Sequence, residues 1–340
     1  MKIIPFVLAL ITNELIGQSL IENKNFTSIL VDNFDTSISA SIWTIRDSVR
    51  GPGNSGDSYY YCYLTKRPEN LSIIKIENNG FLQLKSRVEN LPVGSNCLST
   101  GAEIISNQLF YPDNFFEIRY KLPLNCTTTT SSFWLYEGNG GECNLASPCI
   151  NYREIDFLEY LGSKDTSTAN IHYCNSSTPS CRNTINNGLG YYIPNTFSQF
   201  HTTLGRLSNN NIYHYLDNRL IMKNIKPTNH YNEGMRIWVS IYGDYAWSSQ
   251  AITPYNNPAT FLIDYIRVYT LTKACTTDVI KILDFNTFTW GLKKSYTLSN
   301  TTAIPTGIKI NLMATDYIQF DPGFEVPLGT EVETWMLECD

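Results

Sequence analysis

Period-two alternation, repeated in short runs along most of the chain, is the feature that most restricts its fold. In Phe115-Phe116-Glu117-Ile118-Arg119-Tyr120-Lys121-Leu122-Pro123 the charged residues Glu117, Arg119 and Lys121 share one face, as on a half-buried strand. We expect that row to be a solvated face held by cross-strand pairs. Ile73–Ile76 and Phe81–Leu84 flank Asn78-Asn79-Gly80, a hairpin signal. Similar runs cover 100–106, 132–136, 169–173, 200–204, 212–216, 220–222, 235–241 and 261–269. Strands of this length and spacing predict an all-β chain, a two-sheet antiparallel sandwich. Composition agrees: aromatic residues reach 13%, charged residues only 16%, and there are 22 Tyr.

At 340 residues the chain has room for one large β domain over 27–271 and a small C-terminal β module over 275–340. The module reads as short strands at 308–312, 317–320 and 331–335, split by Asp321-Pro322-Gly323 and Leu328-Gly329, and carries no acidic cluster. Met1-Lys2 leads into an apolar run, Ile3 to Ile11, followed by small and polar residues, which predicts a signal peptide over 1–19 and a secreted, extracellular or cell-surface protein. No run of about 20 apolar residues is present to span a membrane. A net charge of −6 leaves no basic footprint, so nucleic acid is not an expected partner. The nine cysteines suit an oxidising compartment; Cys143/Cys149 and Cys174/Cys181 are the local pairs expected to staple loops, with at least one thiol left over.

The chemistry concentrates in Arg153-Glu154-Ile155-Asp156-Phe157-Leu158-Glu159-Tyr160. Alternation places Glu154 and Asp156 on one face, but strict alternation would turn Glu159 to the other. One extra residue, a β-bulge, would bring Glu159 back to the acidic face. Two carboxyls in different protonation states are what glycoside hydrolysis requires, and a third between them repels added charge, so that a proton stays on the cluster. Spacing alone leaves retaining and inverting chemistry equally open.

This stretch resembles the bulged Glu-x-Asp-x-x-Glu signature of glycoside hydrolase family 16. The likeness extends to the Asn33-Phe34-Asp35 opening with Trp43, the Phe200-His201 segment and the closing Asp264-Tyr265-Ile266-Arg267-Val268-Tyr269 strand, covering about 27–270. It implies a concanavalin-like jelly roll and a retaining endo-glycosidase, with Glu154 as nucleophile, Glu159 as acid/base and Asp156 as the carboxylate tuning both. Trp134 is the expected sugar platform, with His172, Tyr245 and Trp247 as further substrate contacts. No cofactor is expected for catalysis. A structural calcium is expected on Asp264, the Gly80 carbonyl and a group near Asn33. Arg206-Leu207 and Arg153 depart from the family pattern, where Glu-Trp and Gly are frequent. The expected partner is a polysaccharide, either a β-1,3-glucan of the laminarin type or an algal galactan, acted on by a monomer. A transglycosylase would share every catalytic residue, and a lectin-like jelly roll would need neither glutamate.

Overall fold

A computed structural model describes residues 26–50, 62–89, 99–123, 129–137, 153–161, 166–173, 183–185, 190–193, 198–208, 211–217, 219–225, 234–243, 258–271, 279–284, 292–304, 306–307 and 309–336. The predicted signal segment, Tyr245, Trp247 and the loop disulfides lie outside the described residues. Among those described there is no helix, and none therefore long and apolar enough to cross a membrane. The strands run β1 (Phe26–Asp32), β2 (Trp43–Ile45), β3 (Ser48–Arg50), β4 (Cys62–Leu64), β5 (Leu71–Ile76), β6 (Asn79–Val88), β7 (Ser99–Ser106), β8 (Asn114–Lys121) and β9 (Thr129–Tyr136). They continue with β10 (Arg153–Leu161), β11 (Thr166–Tyr173), β12 (Asn183–Ile185), β13 (Gly190–Tyr192), β14 (His201–Leu207), β15 (Asn211–Leu216), β16 (Arg219–Ile225), β17 (Arg236–Gly243) and β18 (Ala259–Leu271).

Two antiparallel layers result, an all-β jelly-roll sandwich. The front layer runs β2, β7, β17, β9, β10 and β11, with β12 and β13 on its far edge. The back layer runs β16, β15, β14, β8 and β18, and β18 then pairs with β6 and β1 at successive stretches of its other edge. β6 leaves the back layer after Ser86 and pairs with β7 through Arg87 and Val88, joining the two layers at one side. Between them lies a single large apolar core: Ile104, Phe133, Leu135, Ile155, Phe157, Leu158, Ile171, Ile237 and Val239 from the front meet Phe116, Ile118, Tyr120, Phe261, Ile266 and Val268 from the back. Apart from the adjacent pair Phe157 and Leu158, these alternate with outward residues along their strands, so burying one face fixes the register.

The first hairpin departs from expectation by one residue. Its turn is Glu77-Asn78, both at positive φ (50° and 72°), and Asn79 and Gly80 pair with Ile76 and Lys75 inside the ladder. Gly80 is needed elsewhere: a Cβ there would lie 2.2 Å from the Phe34 carbonyl oxygen. The charged row on β8 is also less solvated than expected. Glu117 is buried and accepts from the Tyr269 hydroxyl at 2.8 Å, while Arg119 pairs with Asp264 of β18. Near the chain's first strand, Asp32 accepts from the Trp43 indole (2.8 Å) and the Phe34 amide (2.9 Å), tying the opening segment together.

Residues 279–336 form a separate four-stranded sheet of β19 (Val279–Asp284), β20 (Leu292–Ala303), β21 (Lys309–Phe320) and β22 (Glu331–Met336), in which all the strands are parallel. The two strands expected at 308–312 and 317–320 are one continuous strand, β21. β20 pairs with Met313–Ala314 and then with Tyr317–Phe320, across a register shift between Lys293 and Ser295, while β22 pairs only with Lys309–Ala314, so an irregularity within one strand takes the place of a turn. Tyr296, Leu298, Ile310, Leu312 and Ala314 make its small core. Gly323 and Gly329 take positive φ at the turns expected around them.

Candidate active site on the front sheet

The acidic row depends on a bulge in β10. On β9, Asp156 pairs with Trp134 and Leu158 with Phe133, so Phe157 is the extra residue. On β11, Asp156 pairs with Asn170 and Glu159 with Thr168, again one residue short. Phe157 and Leu158 both turn into the core, at 1% and 0% exposure, and Glu159 returns to the outer face. Glu154, Asp156 and Glu159 therefore stand opposite Tyr136, Trp134 and Ser132, alternate residues of one β9 face.

The environment separates the three acids. Thr168 Oγ1 and Asn170 Nδ2 donate to Glu159 Oε2 at 3.1 and 3.0 Å. Burial, followed by the charges of Asp156 and Glu154, nonetheless pushes the Glu159 carboxyl up to about 7, with the Thr168 bond and His172 partly opposing. His172, directly across from Glu154, places Nε2 at 3.2 Å from Asp156 Oδ2 and 3.7 Å from Glu154 Oε1. Ligand atoms of Glu154, Asp156 and His172 all lie within 4.8 Å of one another. The site thus offers a proton held on one carboxyl beside two others that share an imidazole, an arrangement suited to general acid chemistry next to a nucleophile.

Trp134 lies on this same outer face rather than in the sandwich core. It forms a small cluster with Tyr136 and Trp238, at ring-centroid distances of 5.6 and 5.1 Å. Arg46 reaches over the Trp238 ring (5.9 Å) while its guanidinium bonds the buried Glu103 at 3.0 Å. Trp238, Tyr136, Thr168 and Asn170 were not singled out from the sequence. Tyr136 follows Trp134 by two residues, and Thr168 and Asn170 precede His172 in steps of two, so alternation carried that signal for three of them. Trp238 needed the β9–β17 pairing. Arg153, where a Gly is frequent in the family, is buried and pairs with Glu137 at 3.1 Å.

The segments expected to hold calcium do converge, since Gly80 packs against Phe34 and Asp32 pairs with Ile266. Their side-chain oxygens are committed to guanidinium groups: Asn33 Oδ1 accepts from Arg267 (2.9 Å), and the Asp264 carboxylate is paired with Arg119. As they are arranged, Asn33 Oδ1 and Asp264 Oδ2 do not fit a hard cation, because both already face a positive charge.

No known protein-family profile matches the chain, and no curated protein sequence does. Solved structures do. The LamA catalytic domain from Zobellia galactanivorans aligns at 23% identity over 72% of this chain and 98% of its own, with a TM-score of 0.60. The endo-β-1,3-glucanase from Pyrococcus furiosus aligns at 23% identity over 73% of this chain and 96% of its own, TM-score 0.58. SCLam, a non-specific endo-β-1,3(4)-glucanase from family GH16, gives 18% identity over 73% and 92%, TM-score 0.58. The sandwich that displays the acidic row is therefore the fold of these endo-β-glucanases.

Proposed function

We propose that the protein is a secreted, retaining endo-β-glucanase of glycoside hydrolase family 16 that cleaves β-1,3-linked glucan. The observation that carries this reading is Glu159, whose carboxyl holds its proton up to about pH 7 on the same strand face as Glu154 and Asp156. The fold shared with a laminarinase and an endo-β-1,3-glucanase supports the substrate.

In the first step the Glu154 carboxylate attacks the anomeric carbon while Glu159 passes its proton to the departing glycosidic oxygen, and a glycosyl ester forms on Glu154. In the second, Glu159, now ionised, takes a proton from water, whose oxygen attacks the same carbon and frees Glu154. Asp156, held by His172 at 3.2 Å, keeps negative charge beside Glu159 and so delays its ionisation. Trp134, Tyr136 and Trp238 offer ring faces to the apolar sides of sugar rings next to the acids.

The test is incubation of the protein with laminarin, mixed-linkage glucan, agarose and carrageenan, with sizing of the products over time. Short laminari-oligosaccharides retaining the β anomer at first release are the expected result. Release from a galactan instead would move the substrate within the family, products longer than the substrate would make it a transglycosylase, and binding without any release would make it a lectin. Recovery of the chain in the culture medium, shortened at its N-terminus, checks secretion.

A further inference from the structure

A bulge leaves a main-chain group without its ladder partner, and a buried carbonyl in that position must find another donor. At Phe157 the donor is a side chain. The Tyr191 hydroxyl, from β13 beside β11, donates to the Phe157 carbonyl at 3.1 Å in the buried interior. Burial raises the Tyr191 hydroxyl well above the ordinary phenol value, so it stays protonated, and the Glu159 charge is among the groups that act on it.

The Phe157 ring is fixed from the other side. It stacks on Phe116 (6.0 Å) and tilts against Phe133 (6.1 Å) and His214 (6.3 Å). It also presses on Gly205 of β14 in the back sheet, where a Cβ would meet three of its ring carbons at 2.2–2.4 Å. Tyr191 itself lies edge-on against His214 at 4.8 Å. Ser167, the ladder partner of Tyr191, accepts from the Glu159 amide at 3.2 Å, so both ends of the bulge, carbonyl and following amide, are held by adjoining positions of β13 and β11.

We propose that Tyr191 is a positioning residue for the proton donor: its hydroxyl, opposed across the core by Gly205, clamps the Phe157 bulge that turns Glu159 onto the acidic face. Neither residue touches substrate. The inference rests on the reading of Glu159 as the acid, and it predicts a defect confined to that group. Without the clamp, Glu159 moves away from Asp156 and Glu154 and gains water, and both changes lower the pH at which it ionises; His172 and Tyr191 are the other titratable groups facing it.

The test compares wild type, Tyr191→Phe and Gly205→Ala. In the full chain carrying carbon-13 at its glutamate carboxyls, with Glu159→Gln for assignment, the Glu159 midpoint should fall by about one pH unit in both variants. The kcat/KM on laminarin should drop on the order of tenfold, while kcat/KM on a dinitrophenyl β-glucoside of a short laminari-oligosaccharide, whose leaving group needs no proton, should stay within about twofold. An unshifted midpoint with equal losses on both substrates would assign Tyr191 to ordinary packing and overturn the proposal. An unshifted midpoint with unchanged rates overturns it as well. A wild-type protein that cleaves no glucan, but whose Glu159 midpoint still falls on Tyr191→Phe, defeats the glucanase reading and leaves the clamp standing.

Discussion

The outer faces of the two sheets are built from the same materials and put to opposite uses. On the back sheet, each acid has a partner of its own: Glu117 accepts from Tyr269 at 2.8 Å, and Asp264 pairs with Arg119. Arg206 lies over Phe115 and Tyr213 at 5.2 and 5.3 Å, filling the rest of that face with cations stacked on rings. On the front sheet, Glu154, Asp156 and Glu159 face one imidazole and each other. Separately partnered acids hold a sheet face together; crowded like charge stores a proton. The difference is one of neighbours rather than of residue type, since both faces arise from alternating strands with acids on the outward positions.

The comparison breaks first on activity. Glu159→Gln should lower the laminarin rate by about 10²–10⁴-fold, and Glu154→Gln by at least as much, with the fold unchanged by circular dichroism. Glu117→Gln should leave the rate within about twofold and instead lower unfolding free energy by about 1–3 kcal/mol, because charged hydrogen bonds in a buried site are weakened. Equal effects on activity from both faces would erase the distinction.

Trp134→Ala probes the ring cluster beside the acids. It should weaken laminari-oligosaccharide binding by about 5- to 150-fold, equivalent to roughly 1–3 kcal/mol, with the melting temperature little changed. A loss of about 3–5 kcal/mol in stability would instead assign the indole a core role. Cations lie over rings on both faces, Arg206 over Phe115 and Arg46 over Trp238, but only the front-face rings stand beside the acidic row.

A finer distinction lies in pH. Glu159 ionises at about 7 when folded and near the ordinary 4.5 when unfolded, so the folded state holds the extra proton between those values. Its contribution to stability is complete below about pH 4.5 and is lost as pH rises through about 7. Glu159→Gln should therefore be more stable than wild type at pH 8, by on the order of 1–3 kcal/mol, with the gain vanishing toward pH 4.5. Hydrolysis by the wild type should fall about tenfold per unit above about pH 7, as the acid loses its proton. Denaturant unfolding and a pH–rate profile on the same preparations measure both.

The smallest effect expected is that of a chelator. With Arg119 on Asp264 and Arg267 on Asn33, EDTA should leave the melting temperature within about one degree. A fall of several degrees, restored by calcium, would mean that the ion displaces both guanidinium groups and that the back face too is held by a mobile cation.

Much of this was legible in the order of residues. Alternation in Phe115–Leu122 and its counterparts predicted the sandwich, because a strand with one apolar face has only one side on which to bury it. The spacing of Glu154, Asp156 and Glu159 demanded the bulge, since no regular strand can show all three on one face. The hairpin turn was misplaced by a residue because Asn78-Asn79-Gly80 is compatible with more than one turn, and only the approach of the Phe34 carbonyl decides that Gly80 belongs to the strand. Glu117 read as solvated because its Tyr269 partner lies 152 positions away, where no local pattern reaches. The sequence by itself determined which side chains share a face, a consequence of the two-residue period of extended backbone. Tertiary structure alone decided which strands lie side by side, and so whether an acid meets a guanidinium, as Asp264 does, or other acids, as Glu159 does; charge state and bulge geometry depend on those neighbours because electrostatic and packing energies act over a few ångströms of space, not along the chain.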